Sequence, residues 1–230
     1  MSYAAYGRRH VLLDLDDTLY PCKPCEEAGV RAALAAAAPI LGTSARELEA
    51  VWTRARSAVK ERIDGRGSSH SRLLYLAEMV HQLGRPDALM CVRTWERIYW
   101  SAFLEAAVLR PRVVPFFEGV RARAGRIAIV SDLTLEVQLM KLEHFGILRF
   151  IDALVTSEEV KGDKPKRSIF RLAMDRLGTG ADACIIVGDS DAKDGEGARK
   201  LGIPFFQIEE RDKEGHGFDI ALKSMTESTE

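Results

Sequence analysis

The residues with the greatest chemical potential lie just after short apolar runs. Val11-Leu12-Leu13 leads into Asp14, Asp16, Asp17 and Thr18. Arg126–Val130 leads into Ser131 and Asp132, and Ile151–Val155 leads into Ser157, Glu158, Glu159 and then Lys164-Pro165. Cys184–Val187 leads into Gly188, Asp189, Ser190, Asp191 and Asp194. Carboxylates gathered at one place repel one another unless a cation joins them, and an all-oxygen donor set suits Mg²⁺, whose shell is completed by water and phosphate oxygens. A carboxylate can attack phosphorus to give an aspartyl-phosphate, and a second carboxyl can act as general acid and then as base. Ser131 and Lys164 supply a hydroxyl donor and a positive charge for phosphate oxygens in the transition state.

These runs must be held by a fold that brings their ends together. From residue 112 onward, short apolar strands alternate with amphipathic helices: strands at 126–130, 151–155, 184–187 and 204–208, helices at 134–145, 165–177 and 194–201, with Gly146, Gly178 and Gly202 as stops. This texture predicts right-handed β-α-β units and an α/β, Rossmann-like parallel sheet. In such sheets ligands bind at the carboxyl ends of the strands, which is where all four polar clusters fall. Asp14 and Asp16, two apart, face alike if the strand stays regular to that point.

A helical stretch interrupts this pattern. The spacing predicts helices over 26–38, 44–62, 69–83 and 86–107, with stops at Pro39 and Gly42, at the loop 65–67 and at Gly84. Ser44 and Glu47 have the spacing of a capping box. The α/β core therefore comprises 1–19 and 112–230, and 20–111 is an inserted helical domain. The last residues, 224–230, are polar and expected to fray.

Taken together, Asp14-Leu15-Asp16-Asp17-Thr18-Leu19-Tyr20, Ile129-Val130-Ser131-Asp132, Lys164-Pro165 and Val187-Gly188-Asp189-Ser190 with Asp194, Gly197-Ala198 and Gly202 resemble the four motifs of the haloacid dehalogenase-like hydrolase superfamily. The resemblance implies Asp14 as nucleophile, Asp16 as acid/base, and Ser131 and Lys164 as catalytic phosphate-binding groups, aided by Asp17, Thr18 and Asp132. It implies Mg²⁺ held by Asp14, the main-chain carbonyl of Asp16, and Asp189, with Asp194 in support. It also implies that the helical insertion is a cap that selects the substrate. The family's dehalogenases lack the second aspartate of the first motif. Its presence here as Asp16 points to a phosphatase. The form of the first motif resembles the pyrimidine 5′-nucleotidase-like branch, so a nucleotide is the favoured substrate, with sugar phosphates and phosphoglycolate open. A phosphomutase and a non-catalytic binding protein that keeps the fold are the alternatives.

The rest of the sequence bounds the partners. The formal net charge is −1, which gives no field for a nucleic acid polymer or an anionic membrane. No apolar run approaches the ~18 residues of a membrane span, and Met1–Arg9 has no apolar leader, so the chain reads as cytoplasmic. The expected partner is a small phosphate ester, and no motif specifies an oligomeric state. From residue 20 to residue 110 there are 13 Lys and Arg against 10 Asp and Glu, a mild basic bias that suits an anionic substrate. Tyr20, Arg66, His70 and Arg72 are the substrate-binding candidates, with a helix start near Ser69 as an anion site. Trp52, Trp95, Tyr99 and Trp100 read as the cap's own core. Cys22 and Cys25 form a single C-x-x-C without a second ligand pair for zinc.

Overall fold

The computed structural model describes residues 9–64 and 66–225. Residues 1–8, Gly65 of the loop expected at 65–67, and 226–230 of the tail expected to fray lie outside the described residues. The chain divides into two compact units, one of Met1–Pro21 with Val108–Glu230 and the other of Cys22–Ala107. The sequence boundary at 20–111 therefore moves inward at both ends. Tyr20 belongs with the α/β unit because its hydroxyl bonds Asp16. Arg110 belongs there because its guanidinium holds the carbonyls of Asp17 and Thr18.

The α/β unit carries one five-stranded sheet. Its strands are β1 (His10–Leu13), β2 (Ile127–Ser131), β3 (Ala153–Thr156), β4 (Cys184–Gly188) and β5 (Phe205–Gln207), in the order β3-β2-β1-β4-β5 and all parallel. The chain runs outward from β1 to β3, then crosses to β4, so the order reverses between β1 and β4. That switch point opens a crevice at the strand ends, and Asp14 follows β1 while Asp189 follows β4. Residues of β2 and β4 are buried on both faces, as inner parallel strands require. Leu12, Ala128, Val130 and Ile186 join Ile169, Phe170, Ala173 and Leu177 of α7 (Arg167–Leu177) in one core cluster. α9 (His216–Ser224) packs on β4 and β5, with Phe218 against Phe116 of α5 (Val113–Ala122).

Neither α5 nor α9 is signalled by the sequence. Pro115 and Gly119 weaken the helical pattern of the first. The second starts from a side-chain cap: Asp212 accepts the N–H groups of Gly215, His216 and Gly217, which holds its carboxyl below the usual range. α6 (Leu135–His144) follows β2. The helix expected at 194–201 splits: Asp191–Gly195 makes one wide π turn and α8 covers only Glu196–Leu201. Gly197 lets α8 approach α7, since a Cβ there would lie 2.3 Å from the Phe170 ring.

The other unit consists of α1 (Cys22–Leu41), α2 (Ala45–Arg62), α3 (Arg72–Gln82) and α4 (Val92–Glu105), with 3₁₀ turns at Gly67–His70 and Pro86–Cys91. α1 begins earlier than the pattern suggests, because Pro24 in its first turn lacks an N–H that has no intrahelical partner there anyway. It also continues past Pro39, expected as a stop, since a proline in the last turn forfeits a single bond. The Ser44–Glu47 capping box forms in full at α2. α3 starts at Ser71, whose hydroxyl caps Leu74, and not near Ser69, which sits in the preceding 3₁₀ turn. Trp52 packs edge-on against Tyr75 and stacks on Tyr99, which meets Trp100 and Phe103, and Trp95 is buried with them. Cys22 and Cys25 are both buried on α1. Among the described residues no single helix is long and apolar enough to cross a membrane.

Candidate active site

β1 ends at Leu13, and the chain then turns sharply, with Asp17 in the left-handed region at φ 63°. That turn separates Asp14 from Asp16. The two carboxylates do not share partners as a continued strand would suggest. Arg110 braces the turn from behind. It is 4% exposed, and its guanidinium donates to the carbonyls of Thr18 (3.1 Å), Asp17 (3.0 Å) and Asp212 (2.6 Å). Its own N–H donates to the Leu19 carbonyl at 2.8 Å.

The buried Asp14 carboxylate is held on both oxygens. Lys164 Nζ lies 2.5 Å from Oδ1, and the Thr18 hydroxyl lies 2.7 Å from Oδ2. The same ammonium reaches Asp194 Oδ1 at 2.8 Å, and the same hydroxyl lies 3.3 Å from Asp189 Oδ1. The loops after β1, β3 and β4 are thus tied together through Asp14. Burial works against charge on Lys164, but Asp14, Asp194 and Asp132 outweigh it and keep the amine protonated. A buried lysine survives only with such partners.

One ammonium does not balance this many carboxylates. Burial, with the charges of Asp14 and Asp194 adding to it, pushes Asp189 up to about 7. Burial pushes Asp194 up to about 6 even though Lys164 pulls it down. Asp14, Asp189 and Asp194 offer carboxylate oxygens within 4.8 Å of one another, a set able to hold a metal ion. Gly188 makes room for this: a Cβ there would stand 2.3 Å from Asp194 Oδ2.

Asp16 sits in a different environment. Lys141 Nζ lies 2.6 Å from its Oδ1, the Tyr20 hydroxyl donates to that oxygen, and Gln138 Nε2 donates to Oδ2 at 2.9 Å. Burial raises the carboxyl's pKa, but the Lys141 charge and these bonds win and bring it down to about 2. Gln138 Nε2 also donates to Ser131 Oγ. A carboxylate only accepts, so the amide nitrogen is the atom facing Asp16. Ser131 Oγ then accepts from Gln138 and keeps its proton for another partner.

The Asp132 carboxylate accepts the Lys164 backbone N–H at 2.8 Å and pairs with Lys193 at 3.0 Å, so it braces the Lys164 segment. Thr18 spends its hydroxyl on Asp14, and Asp17 is exposed on the turn. Tyr20 is buried against Phe145 and serves Asp16. In the helical unit, Arg72 is buried. Its guanidinium bonds Glu26, the Tyr99 hydroxyl (3.1 Å) and the His70 carbonyl (2.7 Å), which ties it into that unit's own packing. His70 thereby contributes a carbonyl, and Arg66 is exposed just before the 3₁₀ turn. Lys141, Gln138, Arg110 and Lys193 were missed by the sequence reading. The first two are polar residues on the buried side of an ordinary amphipathic helix, and only their i, i+3 spacing after Ser131 hints at a shared face.

A family model for haloacid dehalogenase-like hydrolases matches residues 9–202, and the chain belongs to that family. A solved 2-haloacid dehalogenase from Pseudomonas syringae pv. Tomato DC3000 shares the fold, with a TM-score of 0.71, 22% identity, and coverage of 87% of this chain and 86% of that one. The chain is 37% identical to a ribulose-1,5-bisphosphate 5-phosphatase from Halopiger xanaduensis, over 84% of this chain and 81% of the relative. It is 31% identical to a glyceraldehyde 3-phosphate phosphatase from Methanopyrus kandleri, over 86% and 82%. A pyrimidine 5′-nucleotidase from Escherichia coli is 30% identical over 45% of this chain and 46% of its own. Within its family, the protein is a phosphatase acting on small phosphorylated substrates.

Proposed function

We propose that the protein is a Mg²⁺-dependent phosphomonoesterase that works through a phosphate ester on Asp14. The supporting observation is the contrast between the two aspartates. Asp14 lies among cationic and acidic groups suited to a phosphate and its counterion, while Asp16 stands apart in a grip of donors. In the first step an Asp14 carboxylate oxygen attacks phosphorus and the ester P–O bond breaks, while Asp16, whose low pKa in the empty site rises as the negatively charged ester binds beside it and brings it a proton from solvent, gives that proton to the leaving alcohol. In the second step Asp16 takes a proton from water, the water oxygen bonds to phosphorus, and the Asp14–phosphate bond breaks. Lys164 and the Ser131 hydroxyl hold non-bridging phosphate oxygens in both steps.

Oxygen-only donors with an excess of negative charge fit Mg²⁺. Asp14, the main-chain carbonyl of Asp16 and Asp189 would hold it, with Asp194 in support. When bound it neutralises charge on the transferring phosphoryl group.

The substrate reading shifts from the nucleotide favoured by the first motif to a phosphorylated sugar or sugar fragment. The relatives similar over most of the chain act on ribulose 1,5-bisphosphate and glyceraldehyde 3-phosphate, whereas the nucleotidase matches under half of it. A panel of phosphorylated sugars and nucleotides with Mg²⁺ tests this. Higher kcat/KM for sugar phosphates is expected. Nucleotides turned over as well or better would overturn the substrate reading, and no turnover of any ester with Mg²⁺ bound would overturn the activity.

A further inference from the structure

α6 places two polar side chains, one turn apart, on its buried side. Lys141 is 1% exposed, and Gln138 is fully buried. Ordering a lysine in the interior costs side-chain entropy and hydration, so a helix keeps one there only against a fixed anion. That anion is Asp16, 2.6 Å away. Gln138 holds the other Asp16 oxygen and, with the same nitrogen, Ser131. With Tyr20 on Oδ1, both Asp16 oxygens have partners, which fixes the carboxylate in position and in rotation.

We propose that Lys141 is a positioning residue for Asp16, and that α6, through Lys141 and Gln138, holds the acid/base group at a set place relative to the phosphate-anchoring hydroxyl of Ser131. The inference rests on the assignment of Asp16 as acid/base. Lys141 transfers no proton and touches no phosphate. Its removal therefore impairs the steps in which Asp16 moves a proton and spares attack by Asp14 on an ester whose leaving group needs none.

p-Nitrophenyl phosphate separates these steps, because nitrophenolate leaves without a proton whereas hydrolysis of the aspartyl-phosphate needs the base. In rapid-mixing experiments with Mg²⁺, Lys141→Met retains the first-turnover burst of nitrophenolate and loses steady-state turnover by ~10–100-fold, part of what a general base contributes. KM does not rise. Lys141→Arg, which keeps a cation on the helix, recovers at least part of the loss. Gln138→Leu shows the same split and decides the matter if Lys141→Met does not fold. Steady-state rates within twofold of wild type in the folded variants, or equal loss of burst and steady state, overturn the inference. Asp16→Asn keeps the two ideas apart. If it turns over normally, the acid/base assignment fails. If it is inactive in steady state while the Lys141 and Gln138 variants are normal, only the positioning inference fails.

Discussion

Arg110 belongs to none of the chemical motifs, yet it supports the loop that carries both aspartates. Its guanidinium makes three bonds to main-chain carbonyls, two of them within the Asp14–Thr18 turn. Arg110→Met keeps the length of the side chain and removes every donor on it. A hydrogen bond from a charged group contributes ~1.5–3 kcal/mol, and water entering the turn replaces part of three such bonds, so the loss is about 3–5 kcal/mol. The same bonds sustain Asp17 in a left-handed conformation that costs a non-glycine residue ~1–2 kcal/mol. At ~2–4 °C per kcal/mol for a chain of this size, the melting midpoint falls by roughly 6–20 °C. Turnover falls with it below the midpoint, because a loosened turn no longer fixes Asp14 against Lys164. Arg110→Lys keeps the charge without the planar fork and recovers less than half of the lost stability. Thermal unfolding followed by circular dichroism, with kcat measured well below the transition, provides both readouts. A midpoint within about 2 °C of wild type, or destabilisation with unchanged kcat, rules out this role for Arg110.

Two further outcomes follow from the acidic cluster. Asp189 at about 7 and Asp194 at about 6 are raised above their unfolded values, so the stability they contribute is present below about pH 4 and lost as pH rises through 6 to 7. In EDTA the melting midpoint falls across that window, while saturating Mg²⁺ flattens the fall because the ion binds the deprotonated ligands. A rising midpoint in EDTA, or the same slope with and without Mg²⁺, contradicts this. Gly188→Ala places a Cβ where Asp194 Oδ2 now sits, 2.3 Å away. Displacing Asp194 weakens Mg²⁺ binding by ~10–100-fold in calorimetric titration, and unchanged affinity refutes it.

Much of the fold is legible in the sequence because β1 to β4 each run from apolar residues into polar or acidic ones, and α6, α7 and α8 are each closed by a glycine. The same pattern brings Asp14, Lys164, Asp189 and Asp194 together, since a parallel sheet puts all strand ends on one edge. The supports of the site are harder to read. Lys141 and Gln138 acquire meaning only when α6 folds back towards Asp16, and Arg110 only when the segment before α5 packs on the turn after β1. The wide turn at Asp191–Gly195 looks like a helix start by composition, because its irregularity lies in one hydrogen bond. In the helical unit, the Arg66–Arg72 stretch is polar enough to suggest ligand contact, yet Arg72 is held by Glu26 and Tyr99, a pairing between helices that spacing does not encode.

The proposed mechanism passes the phosphoryl group through Asp14. The direct measurement is acid quench of the Mg²⁺-loaded protein during turnover of a phosphorus-labelled ester, followed by peptide mapping. Label retained on the peptide containing Asp14, released by hydroxylamine and missing in a folded Asp14→Asn variant, is the predicted result. Turnover without label on that peptide, or an Asp14→Asn variant that still releases phosphate at the wild-type rate, would contradict it.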